Sequence, residues 1–309
     1  MMDRITAEQG ANTMSSNVSA PILVIGATGR QGSATVAHLL ARGCPVRAFV
    51  RDPQSVAARR LAAAGAELVT GDLDDEAAVK SALDGAHGVF LMLTMMEGVH
   101  ITEAGLAAEK RRGERVIDAA RAAGVDHLVY SSLRGAGLRT NVTYYKVKEH
   151  LEAYLADSGV PATVLRPAFF MDNFDTLNRP ALDDDGTLVV NLAVREDIPL
   201  SLIAVTDIGA FAAIAFTRPD DYRGATVSLA GDRLTPPQIA AAFGAVTGRS
   251  ARSNRIPIQA VRAFDEHVAE MFEQFDAAPD LGIDIGELRR AHPELLDFPG
   301  WLARSGWRR

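Results

Sequence analysis

The 309-residue sequence predicts a doubly wound, parallel α/β sheet with a smaller, mostly C-terminal α+β portion. Three observations predict it. Short Val-, Leu- and Ile-rich runs alternate with helix-length segments from Pro21 to Arg166. A glycine-rich turn follows the first run directly, and the rhythm loosens after Pro167. Strands buried on both faces of a parallel sheet read as near-continuous apolar runs. Strand–helix alternation winds such a sheet through right-handed crossovers.

The predicted strands are ILVIG (22–26), VRAFV (46–50), AELVT (66–70), GVFLML (88–93), HLVYS (127–131) and ATVLR (162–166). Segments with helical spacing lie between them, such as SATVAHLLARG and EKRRGERVIDAARAAGV. Gly43, Gly65 and Gly124 follow helical stretches, where glycine commonly stops a helix. Asp183-Asp184-Asp185-Gly186 signals a turn. VTDIGAFAAIAF (205–216) reads as a helix returning to the first sheet, with Asp207 as a structural cap, and GATVSLAG (224–231) reads as a strand. TPPQIAAAFGAVTG (235–248) reads as a helix capped by Thr235, with prolines in its first turn. The division this gives is a flexible tail over 1–20, a dinucleotide-binding unit over 21–166, and a mainly substrate-binding unit over 167–309.

A net charge of -7 disfavours binding to nucleic-acid backbones. The lone cysteine, Cys44, excludes an intramolecular disulfide and reads as an inert buried thiol. The scattered histidines have no metal-ligand spacing, so no metal is expected. The first twenty residues lack the apolar run of a signal peptide and no later segment is apolar enough to span a bilayer. A cytoplasmic protein, monomeric or homodimeric, is expected.

The glycines at 26, 29 and 32 carry the chemistry. Gly26, Thr28, Gly29, Arg30, Gln31 and Gly32 join the first strand to a helix with GxxGxxG spacing. Glycines there permit a tight turn, backbone approach to a pyrophosphate, and close packing of helix on strand. The helix N-terminus offers N–H groups and a positive dipole end to the phosphates. The fold expected is therefore of the Rossmann type. After the second strand, Arg51 precedes Asp52. A guanidinium suits a ribose 2′-phosphate, so NADP(H) is favoured over NAD(H). Asp52 either caps the next helix or takes the ribose hydroxyl of NAD. Asp72 and Leu73, after the third strand, are placed beside the adenine, with Asp72 alternatively capping a turn. Thr94, Met95 and Met96 end the fourth strand, near the expected nicotinamide.

The chain resembles the NmrA-like family of atypical short-chain dehydrogenases. The resemblance rests on IGATGRQG (25–32), FVRDP (49–53), GDLDD (71–75), AARAAGVDHLVYSS (119–132), SGVPATVLRPAFFMDNF (158–174), VTDIGAFA (205–212) and HPELLDFPGWL (292–302). It implies a Rossmann domain with a smaller substrate domain. It also implies one of two functions. One is NAD(P)H-dependent reduction of quinones, dyes or similar small molecules. The other is non-catalytic redox sensing that regulates a protein partner.

Tyr144 and Lys148 have the YxxxK spacing of short-chain dehydrogenases and share a helix face. A phenol is a poor acid–base group at neutral pH unless a nearby ammonium lowers its pKa. Lys148 is accordingly assigned the phenol and the nicotinamide ribose, and Ser132 (or Ser131) a substrate oxygen. In the resembling family the lysine position matches, whereas the tyrosine position is commonly histidine. The alternative for Tyr144 is thus an aromatic that only lines the pocket. Tyr145 and Lys146 fall on another face. Phe169, Phe170, Met171, Asn173 and Phe174 follow the sixth strand at the edge where such sheets bind ligands. They are expected to wall a flat, largely apolar carbonyl or quinone-like substrate, or else to form interdomain core. A third reading of the function is an isomerase or epimerase using bound NAD(P).

Overall fold

The computed structural model describes residues 18–138, 140, 142–277 and 282–307. Seven parallel strands form the main sheet: β1 (Ile22–Val24), β2 (Val46–Val50), β3 (Glu67–Thr70), β4 (Gly88–Leu91), β5 (His127–Ser131), β6 (Ala162–Pro167) and β7 (Thr226–Leu229). Their order is β7-β6-β5-β4-β1-β2-β3. The winding reverses at β1, which pairs with β2 on one side and β4 on the other. The loops leaving β1 and β4 diverge there and open a crevice at the carboxyl ends of the strands.

The two sheet faces explain the uninterrupted apolar runs. Ile22 and Val24 join one buried cluster, covered by α1 (Arg30–Ala41), α2 (Val56–Ala63) and, through Ile208 and Phe211, α6 (Val205–Thr217). Leu23 and Ile25 join the opposite cluster with Val79, Ile117 and Leu151. The helices there are α3 (Glu76–Leu83), α4 (Glu103–Ala123) and α5 (Thr143–Ser158). Alternate side chains on a strand point to opposite faces, so both sets must be apolar. Gly124 ends α4 in the left-handed conformation, φ 65°, which glycine adopts without a Cβ penalty. Cys44 is buried, and burial raises its thiol pKa.

Beyond β6 the chain builds two three-stranded sheets, one with Leu188–Leu192 at its centre and one with Leu200–Ile203. They pack with Pro236–Thr247, Glu266–Ala277 and Phe298–Arg304 around a third core rich in aromatic rings. Phe174 lies 5.6 Å from Phe243 and 5.4 Å from Phe298, centroid to centroid. The helix after Thr235 forms as expected, with the Gln238 side chain accepting the Thr235 backbone N–H at 2.9 Å.

Three sequence expectations need correction. Of the tail drawn over 1–20, residues 1–17 lie outside the described residues, but Val18 is packed into the first core. The strand in 224–231 belongs to the main sheet as β7, not to the substrate-binding portion. Asp207 does not cap α6: the carboxylate accepting the Val205 N–H, at 2.9 Å, is that of Asp172. Buried Asp207 instead accepts from His292 Nε2 (3.1 Å) and the Leu296 N–H (3.1 Å), pinning the C-terminal HPELL segment to the main sheet's helix layer. A caps-by-position rule cannot see either long-range partner.

His127 opens β5 fully buried. The Thr163 hydroxyl donates to the Tyr222 carbonyl at 2.6 Å, so it accepts from His127 Nε2–H at 2.8 Å. Burial, aided by Arg223 and His87, depresses the imidazole pKa from 6.5 to about 4. Below pH 6.5 the unfolded chain takes up this proton and the folded chain does not. Stability from this site is therefore complete above pH 6.5 and is lost progressively down to about pH 4. The shift corresponds to about 3 kcal/mol. Urea denaturation across that window should show a shallower pH dependence in His127→Gln than in the wild type. An identical slope in both would refute the assignment.

Candidate functional site

The turn after β1 is shaped by backbone contact. Gly26 has φ 72°, and a Cβ on it would lie 2.7 Å from Met92 Cε. A Cβ on Gly32 would lie 2.1 Å from the Gly26 carbonyl oxygen and 2.7 Å from Ala27 Cα. Gly29 is the N-cap of α1, with φ −81°, and no side chain caps the helix. The helix start thus faces the cleft with backbone alone.

The cleft, about 400 Å³, runs along the carboxyl ends of β1, β2, β3 and β4. Of the residues named from sequence, Gly26, Thr28, Gly29, Arg51, Asp72, Leu73, Thr94 and Met96 line it. Arg51 is exposed, and its guanidinium has no hydrogen bond or ion pair among the described residues. Asp52, by contrast, accepts the Gln54 N–H at 2.8 Å in a local turn. Asp72 lines the cleft and accepts the Asp74 N–H at 2.8 Å, closing a local turn. Thr94 accepts the Met96 N–H at 3.1 Å. A glycine cradle, an uncapped helix start and an unpaired guanidinium in one cleft fit a dinucleotide's pyrophosphate and ribose phosphate.

Other residues named from sequence are engaged elsewhere. Arg30 donates to the Asp172 carbonyl at 2.8 Å, bridging the glycine turn to the segment after β6. Gln31 accepts from Ser131 at 2.7 Å. Gly32 is buried under the turn and acts through packing. Ser132 donates to Glu152 at 2.5 Å, and Glu152 also pairs with Arg166. Met95 is half-buried and packs against the small cluster of Leu106, Val142, Tyr144 and Tyr145.

The Tyr144–Lys148 pairing differs from the expectation. Both residues lie on α5 and both are buried. Lys148 forms an ion pair with Glu109 of α4, their side chains 5% and 1% exposed. Tyr144 packs edge-on against Tyr145 at 4.8 Å and is 6% exposed. Burial drives its phenol pKa well above 10, with Tyr145, Asp265 and Glu270 adding in the same direction. The expected lowering by Lys148 is absent: every influence on the Tyr144 phenol raises its pKa, and Lys148 pairs with Glu109 instead. Tyr145 is a packing residue and Lys146 is exposed.

The apolar segment after β6 splits in two. Met171 and Phe174 are fully buried in the third core, which is built only from residues after β6, so they wall neither a ligand site nor an interdomain core. Their five-residue 3-10 turn, Met171–Asp175, rotates these two side chains inward. Phe169, Phe170 and Asn173 remain partly exposed.

Several cleft residues carried no sequence signal. Met92 lies beneath Gly26 and Gly29. Gly105, in the first turn of α4, lets that helix abut the Met95 carbonyl, which a Cβ would approach to 2.1 Å. Arg112 lines the cleft and pairs with Asp74, holding that carboxyl below the usual range. A second hollow, about 440 Å³, lies between Arg179, Leu188, Arg249 and Trp307 and contains none of these groups. Among the described residues no cluster of His, Cys, Asp and Glu could hold a metal, and no helix is long and apolar enough to cross a membrane.

A reversed parallel sheet with a glycine cradle at its switch point defines a Rossmann-type dinucleotide-binding protein. Residues 19–288 match the NmrA-like family model, and the chain belongs to that family of NAD(P)-binding Rossmann proteins. An NAD(P)H azoreductase of Xenophilus azovorans is 30% identical over 238 residues, covering 77% of this chain and 78% of its own. A solved structure of NmrA, a negative transcriptional regulator in complex with NAD, is 25% identical, with a TM-score of 0.79 over 94% of this chain and 96% of the other. The NADPH-dependent quinone oxidoreductase QOR2 of Escherichia coli, complexed with NADPH, is 26% identical, with a TM-score of 0.74 over 92% and 99%.

The glycine geometry separates folding from binding. Gly32→Ala forces backbone apart and should cost about 1–3 kcal/mol of stability. Gly29→Ala meets its nearest atom at 3.2 Å and should stay within about 1 kcal/mol of the wild type. Equal denaturation midpoints for the two variants would contradict this division.

Proposed function

We propose that the protein is an NADPH-dependent reductase of flat, largely apolar acceptors of the quinone or azo-dye kind. The observation that carries the cofactor choice is Arg51: an unpaired guanidinium on the cleft wall, beside an Asp52 whose carboxylate is occupied by its own turn. A 2′-phosphate would supply the missing counter-charge. The glycine turn and the start of α1 would hold the pyrophosphate, Asp72 and Leu73 the adenine side, and Thr94 and Met96 the nicotinamide side. The reduced nicotinamide supplies hydride. The partly exposed Phe169, Phe170 and Asn173 would face the acceptor, and relatives described as azo and quinone reductases support that class. Tyr144, buried and with a raised phenol pKa, is not the proton donor in this reading; water protonates the reduced acceptor.

The same buried Tyr144 favours one rival, a non-catalytic NAD(P)-responsive regulator, as the NmrA relative is described to be a transcriptional regulator. Turnover separates the two. NADPH oxidation should be measured against a panel of quinones, azo dyes and triarylmethane dyes. Absence of turnover on all of them, with tight NADPH binding, would select the regulator.

Two variants test the assignments. Arg51→Ala should weaken NADPH binding about tenfold to hundredfold more than NADH binding, the value of a charge-assisted contact. Calorimetry showing equal losses for both cofactors would remove the 2′-phosphate from Arg51. Tyr144→Phe should retain turnover, far from the roughly 10²–10⁴-fold loss that follows removal of a positioned acid–base group. A loss of that size with unchanged cofactor affinity would restore Tyr144 as the donor.

A further inference from the structure

Glu109 is 1% exposed, and among the described residues its carboxylate oxygens accept no hydrogen bond from backbone or hydroxyl donors. Its partner is the ammonium of Lys148, held by charge. Other buried acids in the chain are wrapped differently. Asp207 accepts from His292 and the Leu296 N–H, and Asp265 accepts the N–H groups of Ile101, His267 and Val268. Those are structural acids, satisfied on several sides, as buried carboxylates usually are. Glu109 is not. The neighbouring Tyr130 hydroxyl is also buried without a partner, and Lys148 Nζ stands 5.6 Å from the Tyr130 ring centroid. One turn further along α5, Glu152 is engaged by Arg166 and Ser132 and does not compete for the lysine.

The pair stands immediately behind the cleft. Gly105, Ala108 and Arg112, on the same side of α4 as Glu109, line it. Gly105 brings α4 against the Met95 carbonyl, which fixes how far Glu109 reaches toward α5. A buried ammonium without a counter-charge is costly, so Glu109 decides both whether Lys148 is tolerated there as a cation and where it sits.

We infer that Glu109 is a positioning residue for the cofactor: it holds Lys148 charged and ordered at the nicotinamide-ribose end of the cleft. This rests on the reading that Lys148 serves the ribose. Glu109 acts through Lys148 and touches neither hydride donor nor acceptor.

The test is a double-mutant cycle read by calorimetric NADPH binding, alongside thermal melting. Glu109→Gln keeps the volume and removes the charge; Lys148→Met removes the ammonium. Each should weaken NADPH binding about tenfold, and the double variant should bind as Lys148→Met alone. A purely structural pair predicts another pattern: lower melting temperatures in the single variants, recovery in the double, and unchanged affinity throughout. That pattern, or losses that multiply in the double variant, would overturn the inference. Wild-type affinity in Lys148→Met would remove the lysine from the cofactor and the inference with it. Weak binding in Lys148→Met beside wild-type binding in Glu109→Gln would overturn the inference alone. Should Glu109→Gln not fold, Glu109→Asp takes its place. Its shorter carboxylate should weaken NADPH binding several-fold, and only when Lys148 is present; wild-type affinity would overturn the inference.

Discussion

The contact between Gly32 and the Gly26 carbonyl sets the geometry on which the rest of the structure depends. With no side chain at residue 32, α1 starts directly on the turn leaving β1, and its N-terminus faces the cleft uncapped. The same economy recurs on the far side of α1. A Cβ on Gly209 would lie 2.5 Å from the Ala34 carbonyl carbon, so α6 packs on α1 at backbone distance. The segment joining the two portions of the chain is fastened at this place as well. Asp172 caps α6 with its carboxylate while its carbonyl receives Arg30. Cofactor turn, crossover helix and substrate-side segment are thereby one mechanical unit.

The second determinant is how buried charge is distributed. Asp207 spends its carboxylate on the C-terminal segment, and Glu152 binds Arg166 and Ser132 beneath the end of β5. Lys148 and Glu109 form a pair with few other obligations. Arg51 has no partner among the described residues and stands on the cleft wall. Paired and wrapped charges organise the fold; an unpaired one at the mouth of a cleft is an invitation to an anion. The arginines of α4 fall between these cases: Arg112 and Arg115 hold the Asp72–Asp74 loop through Asp74 and the Leu73 carbonyl, and so shape that wall of the cleft.

The six strands expected before Pro167 all form, because strands buried on both faces leave a continuous apolar record in the chain. The seventh was legible as a strand but not as a member of the main sheet, since membership depends on pairing with β6 across sixty residues. The glycine turn and Arg51 were legible because their chemistry is local: turn, helix start and strand end follow one another in sequence. Glu109 gave no signal. A glutamate in a charged helical segment reads as solvated until α5 is laid across it.

The sequence alone thus determined six strands of the sheet, its winding, the glycine turn after β1 and the residues at the strand ends. Period, turn chemistry and glycine placement are properties of neighbouring residues. Tertiary structure decided what the YxxxK spacing means here. Spacing put Tyr144 and Lys148 on one helix, but burial raised the phenol pKa and Glu109 claimed the lysine. It also decided which residues after β6 are buried, since Met171 and Phe174 turn into a core that includes Phe243 and Phe298 from far along the chain. Desolvation and long-range ion pairing depend on what packs around a group, and no local pattern in the chain records that.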